Sequence, residues 1–354
     1  MSPTTQSPSG EPQPLFDCDV HHPLPTREQW VHYAPDRYKR ELADYGQRRI
    51  TSGIRSEDGG DRWDADCRTV ESLQNQLLAR YPTRIALLSG NTGFMAGQPD
   101  PEWAAALCTA YNDWTLEQWS CKDDRLVTGI KIPQMDAGLA VCEIERLAGH
   151  PDVACIFMWG GAERIPFGQR PYWPIYEAAA RHNLPIHVHP STTAGLAACA
   201  TSAAGLMTNY LQTHACLPQF FQAHLISLVL EGCFEKWPNL RFTFVEGGFG
   251  WLPHVLWRMD KEYKNLRQQA PLLQRLPSEY VKTNVRITQQ PMEEPSRPHH
   301  FEQLLDMMGG PEMLCYASDF PHYDFDPPTV LPRTLSPEAR SAILHDNASA
   351  WFNR

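Results

Sequence analysis

The chain lacks any apolar run near the roughly 18 residues that span a bilayer, which argues against a helical membrane protein. It also lacks excess positive charge. Lys and Arg number 31 against 41 Asp and Glu, a formal net charge of -10. A nucleic-acid backbone needs a basic face, so that partner is excluded. The ten cysteines are scattered singly and none forms a CxxC pair. The opening MSPTTQSPSGEPQP has no apolar signal core, and residues 1–13 read as a polar, disordered tail. Single thiols without a secretion signal point to reduced cysteines and a cytoplasmic protein. No GxGxxG follows the first apolar run, which weakens an open dinucleotide-binding sheet. Internal repeats are absent.

What is present suits a large core: 354 residues, 42% of them hydrophobic. That length allows two domains, but α/β barrels run this long as one, and residues 14–354 are read as a single domain. Short apolar runs recur as expected strands at Leu15–Val20, Arg84–Leu88, Leu126–Ile132, Val153–Phe157, Leu184–His189, Arg241–Glu246, Asn284–Thr288 and Met313–Ser318. Helical periodicity lies between them at Glu102–Lys122, Ala137–Ala148, Pro174–His182, Gln219–Phe234 and Leu252–Tyr263. Residues 265–279 are polar and read as a surface crossing. Alternating strands and helices give parallel strands joined by crossovers. Eight of them predict an α/β fold, a distorted (β/α)8 TIM barrel, with its site at the strands' carboxyl ends. The longest connections, near residues 22–70, 190–215 and 320–336, follow strands one, five and eight and emerge at that same rim.

Polar residues cluster where those strands end. Strand one closes in Asp17-Cys18-Asp19-Val20-His21-His22. Alternate strand residues share a face, so Asp19 and His21 point together, with Asp17 deeper. A carboxylate beside an imidazole suits a divalent metal, although Asp-x-His alone also fits an exposed turn. Strand five ends in His187-Val188-His189-Pro190, and its two histidines share a face. A buried polar pair is costly unless satisfied, by a metal or by structural hydrogen bonds. Strand six closes on Glu246 before Gly247 and Gly248, and strand eight on Asp319. Packing explains Glu246 poorly, though a neighbouring cation could hold it. Asp319 could merely cap a turn.

In "DCDVHH", "LPIHVHP", "NLRFTFVEGGFGWLPHVLWRMD", "YASDFPHYDFD" and "ILHDNASAWF" the chain resembles the amidohydrolase-related family, in the branch of 2-amino-3-carboxymuconate-6-semialdehyde decarboxylase. The resemblance covers about Leu15 to Phe352. It implies a distorted barrel holding one divalent ion, zinc or manganese. Matched motif by motif, Asp19, His21, His189 and Asp319 become the metal ligands. No family role carries over to His187. One departure stands out: decarboxylase members carry His-Gly-Gly where this chain has Glu246. An ionised Glu there repels a substrate carboxylate by about 4 kcal/mol for unit charges about 4 Å apart at an effective dielectric of about 20.

The resulting expectation is a metal-dependent hydrolase acting on a small aromatic or carboxylated molecule. Asp319 or Glu246 takes a proton from water, and His187 is a further catalytic candidate. Arg286, His322 and Trp251 are candidate substrate contacts, with Trp159 beside them. Nonoxidative decarboxylation of an aromatic or unsaturated acid is the alternative reaction, and a metal-free binding barrel the alternative class. The implied partner is a small molecule, with homodimerisation left open.

Overall fold

All eight residues of β4 (Val153–Gly160) are buried. A strand buried on both faces needs a layer on each side, which crossover helices and a closed interior supply. In the computed structural model, which describes residues 13–45, 68–90, 92–160, 165–190 and 210–354, seven further strands accompany it. They are β1 (Leu15–Val20), β2 (Thr83–Leu88), β3 (Leu126–Lys131), β5 (Ile186–Pro190), β6 (Phe242–Phe244), β7 (Val285–Thr288) and β8 (Leu314–Cys315). They form one sheet in the order β1 to β8, each paired in parallel with the next. The ends meet: Val20 bridges Phe320 in parallel, and the Cys18 N–H donates to the Tyr316 carbonyl at 2.9 Å. This is the expected distorted (β/α)8 barrel.

The crossover helices start where the chain offers caps. Asp100 accepts the N–H groups of Glu102 and Trp103 ahead of the Pro101–Gln118 helix, with Pro101 in its first turn. Asp136 caps the Ala137–Leu147 helix by accepting from Leu139. Apolar faces of these helices pack on the strands, with Ile144, Ile175, Tyr176 and Leu225 fully buried. The C-terminal helix Asn347–Phe352 plugs the amino end of the barrel. Trp351 Nε1 donates to Thr243 Oγ1 at 2.9 Å, and Phe352 stacks on Phe16 with ring centres 5.4 Å apart.

Several boundaries moved. The helix expected from Gln219 begins at Tyr210 and runs to Leu230 with Pro218 inside it. Tertiary packing carries the helix through that proline, where a helix interior ordinarily excludes one. Ser120–Lys122 is a separate 3-10 turn. Residues 265–279 are not one polar crossing, since Leu252–Leu266, Arg267–Gln269 and Pro277–Asn284 are helical. Gln13, assigned to the tail, is buried and bonds Ser341 Oγ at 3.0 Å. The rest of that tail, and much of the connections after β1 and β5, lie outside the described residues. No helix among the described residues is long and apolar enough to cross a membrane.

Candidate metal centre

The carboxyl ends of four strands converge on one point. Asp19, His21, His189, Glu246 and Asp319 each present a ligand atom, and these atoms all lie within 4.8 Å of one another in a buried setting. β1 supplies Asp19, and His21 follows directly on its end, on the same face by alternation. His189 comes from β5, while Glu246 and Asp319 follow β6 and β8. His21 Nε2 lies 3.0 Å from Asp319 Oδ1 and 3.4 Å from Asp19 Oδ1. His189 Nε2 lies 2.8 Å from Glu246 Oε2 and 3.4 Å from Asp19 Oδ2.

Backbone carbonyls set the tautomers of both histidines. His21 Nδ1 donates to the Gly90 carbonyl at 3.1 Å, and His189 Nδ1 donates to the Pro190 carbonyl at 2.7 Å. Each ring then turns an Nε2 lone pair toward the common point, the arrangement of metal-bound imidazole. Asp19 is held by Ser89, whose hydroxyl donates to Oδ1, while its buried Oδ2 has no hydrogen-bond partner. An orphaned buried carboxylate oxygen is costly unless a cation faces it. The donor set therefore fits a divalent ion.

The electrostatics agree. Burial opposes charge on His21, yet Asp19 and Asp319 outweigh it and hold its imidazole well above the usual range. Burial likewise opposes charge on His189, but Asp19 and Glu246 raise it to about 9. Burial pushes the Asp19 carboxyl up, and His21 and His189 more than reverse this, holding it well below its usual value. Positive charge is strongly favoured at this point.

Two of the carriers sit in left-handed backbone: Glu246 at φ 57° and Asp319 at φ 58°. Non-glycine residues adopt that region at a cost, and such strain gathers at functional sites. Beneath the cluster lies Lys131 on β3, its Nζ without a hydrogen-bond partner and 3.1 Å from the Phe157 ring centre. Burial pushes its ammonium down to about 7.

The remaining expected residues divide. His322 belongs to the site: its Nδ1 is 2.8 Å from Asp319 Oδ1, and its ring lies over His21 with centres 4.0 Å apart. Trp159 packs edge-on to His189 at 5.0 Å. His187 lies one step deeper, fully buried between Phe157 and Phe352, with neither ring nitrogen hydrogen-bonded. Burial drives its pKa down to about 3, so the ring stays neutral and apart from the cluster. Trp251 braces the turn behind Glu246, donating to the carbonyls of Gly247 and Gly248. Arg286 points the other way. It donates to the carbonyls of Lys282 and Val285 and lies over Trp351 at the plugged end. The expectation that it contacts substrate is corrected: a residue early in β7 reaches the bottom of the barrel. Asp17 staples β1 to β8, its Oδ1 accepting from Ser318 N at 2.9 Å and Asp19 N at 3.2 Å.

His214, Asp324 and Gln290 were not singled out in the sequence. His214 Nε2 approaches Glu246 Oε1 at 3.3 Å and Asp324 Oδ2 at 3.4 Å. Gln290 Nε2 donates to Asp319 Oδ2 and Asp324 Oδ2. The run Asp319 to Asp326, with three acids and a histidine, was the available signal for Asp324. His214 stands in a helix with no motif around it. A depression beside the cluster is lined in part by His214, Leu217, Glu246, Gly248, Pro291 and Glu293.

An eight-stranded parallel barrel with a buried imidazole and carboxylate cluster at the carboxyl ends of its strands is the architecture of a barrel enzyme. The amidohydrolase family model matches residues 16–354, and the chain belongs to that family. Solved structures share its fold at low identity. An amidohydrolase of Mycobacterium avium subsp. paratuberculosis has TM-score 0.72 and 15% identity, covering 96% of this chain and 98% of its own. The 5-carboxyvanillate decarboxylase of Sphingomonas paucimobilis has TM-score 0.70 and 18% identity, covering 96% and 99%. A dihydroxybenzoic acid decarboxylase of a Polaromonas species, with bound manganese and 2-nitroresorcinol, has TM-score 0.66 and 18% identity, covering 96% and 98%.

Proposed function

We propose that this enzyme is a divalent-metal-dependent hydrolase of a small carbonyl compound, with Asp19, His21, His189 and Asp319 as metal ligands. A divalent ion held there would polarise a carbonyl and lower the pKa of water toward ~7. Manganese and zinc both suit mixed nitrogen and oxygen donors. The observation that carries the reading is Glu246, whose carboxylate reaches His189 Nε2 at 2.8 Å within the cluster itself. A carboxylate in that place accepts a proton from water and repels a substrate carboxylate. None of Asp19, Glu246, Asp319 or Asp324 pairs with a Lys or Arg among the described residues. Of the aromatic or carboxylated molecules expected from sequence, this supports one uncharged at its scissile group, an ester, lactone or amide.

Asp319 offers the route for the proton to leave. Its Oδ1 touches His322, a side chain 27% exposed, which connects the buried carboxylate to solvent. His214 steadies the second oxygen of Glu246. His187, neutral and buried beneath, shapes the floor without titrating.

Decarboxylation of an aromatic acid is the second reading. It is favoured by the barrel's likeness, over 96% of this chain, to the 5-carboxyvanillate and dihydroxybenzoic acid decarboxylases. The deciding experiment is a substrate screen with manganese- or zinc-loaded protein in oxygen-18 water. Label in an acid product supports hydrolysis. Carbon dioxide release with no label in the organic product overturns it. A protein that takes up neither metal would instead be a metal-free binding barrel.

A further inference from the structure

The amino end of the barrel, opposite the metal cluster, carries positive charge that its neighbours do not neutralise. Arg241 directly precedes β6, and Arg286 is the second residue of β7. Thr243 of β6 pairs in register with Arg286. Alternate residues share a face, so Arg241, Thr243 and Arg286 point to the same side of two neighbouring strands. Both guanidinium groups lie against one indole. The Arg286 centre is 4.4 Å and the Arg241 centre 5.7 Å from the middle of the Trp351 ring.

Their hydrogen bonds reach only neutral oxygens. Arg286 Nη1 donates to the carbonyls of Lys282 and Val285. Arg241 Nη1 donates to the Trp351 carbonyl, and its Nη2 to the carbonyl and side-chain oxygen of Asn183. Such oxygens satisfy N–H groups and leave the charge unmatched. Arg125, at the amino end of β3, shows the usual remedy: its Nε and Nη2 grip Asp123 at 2.8 and 2.6 Å. Arg241 and Arg286 have no such partner among the described residues. Glu312 acts on Arg286 through space without reaching ion-pair distance. Burial works against both charges and pushes both guanidiniums below their ordinary range. Two like charges against one ring also repel each other.

Arg286 keeps one edge free. Its Nε and Nη2 have no acceptor among the described residues. That edge is the fork that grips an oxyanion side-on. Both side chains are half-buried, so solutes reach them. We infer that Arg241 and Arg286 form an anion site at the amino end of the barrel, for a dianionic oxyanion of the phosphate class. The Arg286 edge holds the anion, and Arg241 supplies the second cation. Two cations favour a dianion over a monoanion. Free phosphate and the phosphate end of a small organic molecule share this chemistry. Arg241 also holds the Trp351 carbonyl, so a bound anion ties β6 and β7 to the C-terminal helix. None of this depends on the reaction proposed at the other end.

The test is calorimetric titration of full-length, manganese-loaded protein with inorganic phosphate, phenyl phosphate and acetate. Ionic strength is matched, and the pH keeps phosphate dianionic. We expect phosphate to bind, to raise Tm beyond the effect of chloride, and to bind more tightly than acetate. Arg286→Lys keeps a charge over Trp351 and loses the fork, while Arg241→Gln removes the second cation. Each should weaken phosphate binding by about tenfold or more, with manganese content and circular dichroism unchanged. If Arg241→Gln does not fold, Arg286→Lys decides alone. Binding of phenyl phosphate alongside phosphate supports the end group of an organic molecule, and binding of phosphate alone supports the free ion. No phosphate binding overturns the site. So does binding unchanged in either folded variant, which puts the phosphate elsewhere, on the metal ion included. Acetate binding as tight as phosphate overturns the dianion.

Discussion

His21 Nε2 and His189 Nε2 face each other at 3.2 Å, from strands on different sides of the barrel. Both rings already donate their Nδ1 protons to backbone carbonyls, Gly90 and Pro190. Two lone pairs aimed at one another across that gap repel unless something positive lies near. A proton or a metal ion resolves this, and the surrounding carboxylates favour the ion of higher charge.

Removing one of those lone pairs should therefore remove the ion and spare the fold. His189→Ala is expected to weaken manganese or zinc binding at this centre by more than ~100-fold, since loss of a residue merely supporting a ligand already costs about 10–100-fold. Metal analysis after dialysis, with circular dichroism alongside, checks it. Unchanged metal content would remove His189 from the ligand set.

Glu246→Gln keeps the shape and loses the base. Turnover of the substrate found by screening should fall by about 10²–10⁴-fold, with the metal ion retained. An unaltered kcat would mean that the strained backbone at Glu246 serves structure alone.

Protons and metal compete here, which gives the pH dependence its sign. The folded, metal-free His189 is raised from 6.5 to about 9 by Asp19 and Glu246, against burial. Its pairing thus stabilises the metal-free fold fully below pH 6.5, and that contribution is lost as pH rises through about 9. Metal binding strengthens over the same window because the ligand nitrogen is freed. The rise in Tm on adding manganese should be small near pH 6 and grow toward pH 9. Saturation at 100 times Kd corresponds to about 2.7 kcal/mol. A Tm gain that shrinks over this window would contradict the assignment.

Gly90 supports the centre through its backbone. It sits at φ +66°, and a Cβ there would lie 1.9 Å from the Tyr111 hydroxyl. Gly90→Ala should cost roughly 2 kcal/mol or more from left-handed strain and overpacking. It should also tilt the carbonyl that orients His21, so metal affinity and Tm are expected to fall together. Loss of stability at unchanged metal affinity would separate the two roles.

The strands were legible because each is a short apolar run bounded by turn residues, and buried parallel strands leave little else in their composition. Asp19, His21, His189, Glu246 and Asp319 were legible because each stands where such a run ends. The helix through Pro218 was not, since local propensity argues against a proline that packing tolerates. Arg286 was misplaced for a related reason. Being on a strand does not say which end of the barrel a long side chain reaches, and here Trp351 and two carbonyls draw it downward.

The sequence by itself determined the order of elements, the barrel they close and the strand ends that carry acids and imidazoles, because hydrophobic periodicity is written locally along the chain. Only the tertiary structure decided which of these groups meet. His214 and Asp324 are 110 residues apart, and no local pattern links them. Their approach to Glu246 depends on barrel closure, which brings the connections after β5, β6 and β8 to one rim.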